Sequence, residues 1–190
     1  MRCLNPNAVF FDRDGTINAE VNYLGNPEQL SLLYGTASVL RHLKKRGIKS
    51  IIVTNQAGIA KGLFTEEDLM RVNNRLIKLL SEEGVAIDAL YYCPHHPEGN
   101  VSRYRINCNC RKPSPGMIYK ACKDFKIDPK KCWLVGDKLS DIGAGSRAGC
   151  ITFLVLTGYG IQEIKKIISK RNIFKPDFVI PKLTDLLNYL

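Results

Sequence analysis

The chain has 190 residues, 45% of them hydrophobic and 24% charged, which is ordinary for a soluble globular protein and enough to bury one substantial core. No apolar run approaches the roughly 18 residues of a membrane helix, and "MRCLNPNAVFFDRDG" lacks the apolar core and cleavage site of an export signal, so a cytoplasmic protein is expected. The net charge of +10 favours anionic partners, but "RHLKKR" (41–46) falls on the polar face of a helical pattern without interleaved aromatics, so a solvated basic surface is expected rather than a nucleic-acid platform.

The predicted elements alternate along the chain. "AVFF" (8–11) reads as a strand, followed by a helix from near Gly35 to a left-handed stop at Gly47. "SIIVT" (50–54) is the next strand. A helix then opens at "TEED" (65–68), where Thr65 and Asp68 have capping-box spacing, turns Leu69, Val72, Leu76 and Leu79 inward, and ends at Gly84. After the strand "ALYY" (89–92) comes a long irregular segment, then a helix following Pro115 with Ile118, Ala121, Cys122 and Phe125 inward. "CWLVG" (132–136) leads into a helix that Gly143 and Gly145 are expected to loosen. "TFLVL" (152–156), a helix marked by Ile161, Ile164 and Ile168, the strand "FVI" (178–180) and a terminal helix with Leu183, Leu186, Leu187 and Leu190 complete the chain. Short strands that mostly do not alternate in polarity suit burial on both faces. The pattern therefore predicts one α/β domain over 1–190, with a mostly parallel central sheet and helices on both faces.

Ligands of such sheets sit beyond the carboxyl ends of the strands, and three predicted strands end in reactive residues. The first runs into Asp12 and Asp14, the second into Thr54, Asn55 and Gln56, and the fourth into Asp137 with Asp141 close behind. Alone, each is a turn or a helix cap. Together they place up to four carboxylates beside a hydroxyl and an amide. Such a group repels itself unless protonated or bridged by a cation, and the oxygen-rich donor set suits Mg²⁺ with substrate phosphate.

The irregular segment "CPHHPEGNVSRYRINCNCRKP" (93–113) holds three of the seven cysteines. An odd count in a chain without an export signal points to thiols or metal ligands rather than disulfides. Cys93, Cys108 and Cys110 with a neighbouring histidine fit a Cys₃His zinc set, although the one-residue spacers are tighter than in zinc fingers. Residue types alone leave a catalytic metal centre, a structural zinc clip, a disulfide knot and a coincidence of composition open.

"FFDRDGTIN" (10–18), "VTNQAG" (53–58), "CRKPSPGM" (110–117) and "VGDKLSDIGAG" (135–145) resemble, in order, the four motifs of the haloacid dehalogenase (HAD) superfamily of phosphohydrolases. With "TNQAGIAKG" and "CPHHPEG" added, the pattern is similar to the branch that holds heptose-bisphosphate and histidinol-phosphate phosphatases. The resemblance runs from about residue 8 to 160. It implies a Rossmann-like HAD fold of the capless type, since only some forty residues separate the first two motifs. By this resemblance Asp12 is the nucleophile that becomes an aspartyl phosphate, and Asp14 is the general acid and base. The superfamily's ion-pumping ATPases have Thr at the position of Asp14, so Asp favours a phosphatase.

The same resemblance assigns Thr54, Asn55 and Lys112 to the phosphoryl group, and Asp12, Asp137 and the main-chain carbonyl of Asp14 to Mg²⁺. Lys138 and Asp141 support the site, Lys138 on the phosphate side, and Arg111 is placed to meet a second anionic group. It also makes the Zn²⁺ structural, selects His95 over His96, and gives Cys93, His95, Cys108 and Cys110 as its ligands in a loop over about 93–110. The implied reaction removes the C7 phosphate of a heptose 1,7-bisphosphate in nucleotide-activated heptose biosynthesis, as for lipopolysaccharide. Histidinol phosphate, or less plausibly a nucleic-acid 3′ end, is the alternative substrate. The implied partner is a small phosphorylated sugar, with no membrane or nucleic-acid partner, acted on by a monomer. Asn18, Glu20 and Tyr23 are candidate pocket residues in a segment (18–36) that follows the family layout only loosely.

Overall fold

The computed structural model describes residues 5–169 and 174–190. Six strands form one sheet: β1 (Ala8–Phe11), β2 (Lys49–Asn55), β3 (Ala89–Cys93), β4 (Cys132–Gly136), β5 (Ile151–Val155) and β6 (Phe178–Ile180). Their order is β3-β2-β1-β4-β5-β6 and every pair is parallel. All six lie where the sequence places them, within a residue at either end. The order reverses between β1 and β4, and the two strands leave a crevice there beyond their carboxyl ends.

The strands are buried on both faces because their side chains serve two cores. Val9 and Phe11 of β1 join Ile52, Trp133, Val135 and Phe153 under helices α1 (Thr36–Lys45) and α3 (Glu66–Glu82). Ala8 and Phe10 point the other way, to Ile51, Val53 and Leu134 under α4 (Gly116–Phe125) and α5 (Leu139–Ala148). A short α2 (Ala57–Lys61) follows β2, and α6 (Gly160–Ile168) packs Ile164 and Ile167 against Leu139, Ile142 and Leu154. Between β1 and β2 the chain holds only a 3-10 turn, Pro27–Gln29, and α1, so no cap domain is inserted there.

Several local expectations hold through named contacts. Gly47 adopts φ +69 and Ile48 N–H closes on Leu43 O at 3.0 Å, ending α1. Thr65 and Asp68 cap α3 reciprocally. Others are corrected. Leu80, not Leu79, completes the buried stripe of α3, and Leu79 packs only partly against the core. Ile161 and Ile168 of α6 face solvent, and Ile167 takes the inward position with Ile164. The terminal element is a 3-10 helix, Leu183–Tyr189, that buries Leu183 and Leu186.

The two glycines of α5 do not loosen it. A Cβ on Gly145 would stand 2.6 Å from Thr152 Cγ2 and 3.1 Å from Leu134 Cβ, and one on Gly143 would stand 2.8 Å from Pro113 Cβ. Both are there for close approach of the helix to the sheet and to the Lys112–Pro113 turn, which outweighs their helix-propensity cost of about 1 kcal/mol each. None of the six described cysteines is disulfide-bonded, and Cys3, the seventh, lies outside the described residues.

Candidate active site and cysteine cluster

Asp12 follows β1 directly, and its N–H extends the ladder to Val135 O at 2.9 Å, which fixes the carboxylate at the crevice. Asp137 follows β4 in the same way. Gly15 makes this approach possible. It adopts φ +81, and a Cβ there would stand 2.2 Å from Asp137 Oδ2. A cavity of about 320 Å³ opens on the crevice, lined by Asp12, Asp14, Thr54, Arg111, Lys112 and Lys138 among others.

Lys112 is 4% exposed, and its ammonium is held inside the site by hydrogen bonds and ion pairs. Nζ lies 2.8 Å from Asp12 Oδ1, 2.7 Å from Val53 O and 2.6 Å from Asp141 Oδ1. Its backbone is clamped by Asn55, whose amide donates to Lys112 O and accepts from Lys112 N, both at 3.0 Å. Lys138 pairs with Glu20 at 2.9 Å and lies 4.5 Å from the centre of the Tyr159 ring. Thr54 Oγ1 accepts from Gln56 Nε2 at 2.9 Å.

Asp12, Asp137 and Asp141 form one of two clusters of potential metal ligands among the described residues. Burial alone would raise the Asp12 carboxyl, but Lys112 and Lys138 more than offset this and hold it below the ordinary carboxylate value. Burial, then the neighbouring Asp12 and Asp141 charges, pushes Asp137 up to about 8; the charge of Lys138 and the Tyr159 N–H pull the other way but do not prevail. Asp141 is raised to about 6 by burial in spite of Lys112. Asp137 Oδ2 accepts from Tyr159 N–H at 2.8 Å, whereas Oδ1 is buried with no hydrogen-bond partner. A carboxylate oxygen left so, beside two further carboxylates, fits a divalent cation bound by hard oxygen donors.

The second cluster is Cys93, His95, Cys108 and Cys110. The thiols lie 3.1–3.5 Å apart, and His95 Nδ1 lies 3.8 Å from Cys93 Sγ and 3.5 Å from Cys110 Sγ. These separations exceed any S–S bond, which is about 2.05 Å, and they bring three thiols and an imidazole nitrogen together in one small site, the donor set of a Cys₃His zinc. His96 is not among them; its Nδ1 accepts from Glu98 N–H. The cluster ties the end of β3 to the segment just before Lys112, and Arg111 Nη1 donates to His95 O at 3.1 Å.

Comparison with known proteins agrees with this geometry. A HAD-hydrolase-like family model matches residues 109–186. The D-glycero-beta-D-manno-heptose-1,7-bisphosphate 7-phosphatase of Haemophilus ducreyi is 39% identical over 98% of this chain and all of its own length. This chain belongs to the heptose-bisphosphate phosphatase family of HAD-like hydrolases. A family member from Burkholderia mallei, named for the alpha anomer, is 41% identical over 93% of each chain. The crystal structure of the D,D-heptose 1,7-bisphosphate phosphatase of B. bronchiseptica, complexed with magnesium and phosphate, superposes with a TM-score of 0.82 at 28% identity, covering 96% of this chain and 99% of that one.

In this phosphatase the structure brings Asp12, Asp14, Thr54, Asn55, Arg111, Lys112 and Lys138 to one cavity, and Glu20 and Tyr23 line it as well. Asp137 stands just behind, against Gly15. Asn18 does not line the cavity but donates from Nδ2 to Asp14 Oδ1 at 2.9 Å. The sequence reading missed Arg13, a fully buried arginine between two aspartates whose guanidinium binds the Asp14 carboxylate with Nε and Nη2. It also missed Tyr159, which supports Asp137 and Lys138 from the turn between β5, the strand next to β4, and α6. Nothing in the local pattern marks either residue, because their partners lie on other strands or depend on a side chain turning inward. No helix of the described residues is long and apolar enough to cross a membrane.

Proposed function

We propose that this phosphatase removes the C7 phosphate of D-glycero-D-manno-heptose 1,7-bisphosphate through an aspartyl phosphate on Asp12. The reading is carried by one convergence: Asp12 and Lys112 meet at a single cavity, with Asp137 just behind them, in a chain that aligns over 98% of its length with a protein of that name. Asp12, held ionised by Lys112, attacks phosphorus. Asp14, two residues on and lining the same cavity, protonates the departing sugar oxygen and then takes a proton from the hydrolytic water. Lys112 and Lys138 supply fixed positive charge to the phosphoryl oxygens, with Thr54 and Asn55 beside them, which is how phosphoryl transfer is chiefly catalysed. Arg111, at the rim, meets the second phosphate through its planar fork.

Asp12, Asp137 and the main-chain carbonyl of Asp14 would hold Mg²⁺, which supplies charge neutralisation for the phosphate. Cys93, His95, Cys108 and Cys110 would hold a structural Zn²⁺. The reading includes a monomer working in the cytoplasm on a small sugar phosphate, within nucleotide-activated heptose synthesis.

The decisive measurement is phosphate release from both anomers of the bisphosphate and from histidinol phosphate. One anomer should exceed histidinol phosphate in kcat/KM by at least about 100-fold, some 2.7 kcal/mol of transition-state binding. The reverse order would overturn the substrate assignment.

Mg²⁺ binding has its own signature. Asp137 and Asp141 are raised in the folded protein, so without metal they oppose folding as pH climbs from about 4, their unfolded value, to about 8. A bound cation removes that opposition. Mg²⁺ at one hundred times its Kd should stabilise by about 2.7 kcal/mol, roughly 5–10 °C in Tm. The shift should be present at pH 7.5 and largely gone at pH 4.5, and a shift independent of pH would place the ion elsewhere.

A further inference from the structure

The Asp14 carboxylate is bound on every side. Oδ1 accepts from Arg13 Nε at 3.1 Å and Asn18 Nδ2 at 2.9 Å, and Oδ2 accepts from Arg13 Nη2 and Gln56 Nε2, both at 2.9 Å. An ionised carboxylate offers about four lone-pair sites, so one donor must yield before Asp14 passes a proton. The donors are not equivalent. Gln56 lines the cavity, whereas Asn18 and Arg13 do not. Arg13 is fully buried, and its remaining terminal nitrogen, Nη1, is anchored at 2.9 Å on Asn73 Oδ1. Asn73 sits in α3, a helix that contributes no residue to the cavity wall.

We propose that Asn73 is a positioning residue for the hydrolytic reaction. Through Arg13 it sets the plane of the Asp14 carboxylate, so that Oδ2, freed when Gln56 yields, faces the oxygen that gains or loses a proton. The inference rests on the roles given above to Asp12 and Asp14. In the first step an Asp12 oxygen bonds to phosphorus, the phosphorus–sugar oxygen bond breaks, and the sugar oxygen takes the Asp14 proton. In the second a water oxygen bonds to phosphorus, its proton returns to Asp14, and the phosphorus–Asp12 bond breaks. The sum is one water consumed and one alcohol and one phosphate formed. A carboxylate turned out of its plane slows both proton transfers and leaves substrate affinity alone.

Asn73→Ala tests this, because alanine is the best helix former and the site is mid-helix. Misplacement by about 1 Å costs up to 100-fold, and the variant should lose about tenfold in kcat on the bisphosphate with KM within about twofold. Asn73→Asp, which keeps an acceptor oxygen for Arg13, should recover most of the loss. p-Nitrophenyl phosphate separates the two steps, since its leaving group needs little protonation. The alanine variant should release one equivalent of nitrophenolate per site in a burst and then turn over slowly.

A kcat within about twofold of the parent, a loss confined to KM, or an equal loss on both substrates without a burst would each overturn the proposal. If Asn73→Ala fails to fold by circular dichroism, Asn73→Ser, too short to reach Arg13, carries the same expectations. Should the parent enzyme prefer another phosphate ester to the bisphosphate, the substrate assignment fails, and the Asn73 comparison is decided on that ester. Activity surviving in Asp12→Asn would instead remove the covalent step on which the inference rests.

Discussion

Asp12→Asn is expected to abolish turnover, lowering kcat by at least about 10⁴-fold, as loss of a covalent nucleophile does elsewhere. An amide of the same shape carries no charge and is a poor nucleophile, so no acyl phosphate forms. The fold should survive the change. Lys112 keeps its bond to Val53 O and its ion pair with Asp141, and one of three mutually repelling carboxylates is removed. The variant should therefore fold, with a Tm somewhat below the parent's because a carboxylate that Lys112 and Lys138 hold ionised is gone. It should still bind inorganic phosphate, its lysines now facing less negative charge. Phosphate release, Tm and phosphate titration check the three parts. Turnover within about tenfold of the parent would mean that another group attacks phosphorus.

Cys108→Ala is the second large effect. Removing one thiol of the four-donor cluster should abolish the zinc binding proposed for it, read as zinc per chain falling from one to near zero. A cross-link closing a loop of this size is worth about 3 kcal/mol in chain-entropy terms, so Tm should drop by roughly 6–12 °C. The catalytic consequence is divided between two adjacent residues. Lys112 is held from the other side, by Asn55 on its backbone and by Asp12, Val53 and Asp141 at Nζ, so its place at the nucleophile outlasts the clip. Arg111 is oriented by the His95 carbonyl, within the loop itself. KM for the bisphosphate should rise by about tenfold or more, corresponding to the 1.4 kcal/mol or more of a lost charged contact, while kcat falls less. Unchanged KM and Tm in a zinc-free variant would deny the loop its structural role.

Much of this was legible in the sequence because it rests on local rules. Strand positions follow from short β-branched runs, and the ends of α1 and α3 from Gly47 and the Thr65–Asp68 pair. The reactive residues follow strands, and in a parallel sheet that alone carries them to one edge. The cysteine segment declared itself by composition, with the choice between His95 and His96 left to family resemblance until the geometry placed Nδ1 of His95 among the thiols.

What the sequence determined by itself is therefore the architecture and the list of acidic, basic and thiol groups at its working edge. Which face a helix residue takes was less secure. Leu80 displaced Leu79, and Ile167 displaced Ile168, because the inward face is set by the angle at which each helix meets the sheet. Only the tertiary structure decided how the charges are partnered. Lys112 lies between Asp12 and Asp141, Asp137 keeps one oxygen free, Gly143 and Gly145 serve close packing, and Arg13 is turned inward and tied to Asn73 sixty residues away. The physical reason is that spacing along a chain encodes which residues share an element. The distance between charges on different elements, and hence their pairing and protonation, exists only once those elements have packed.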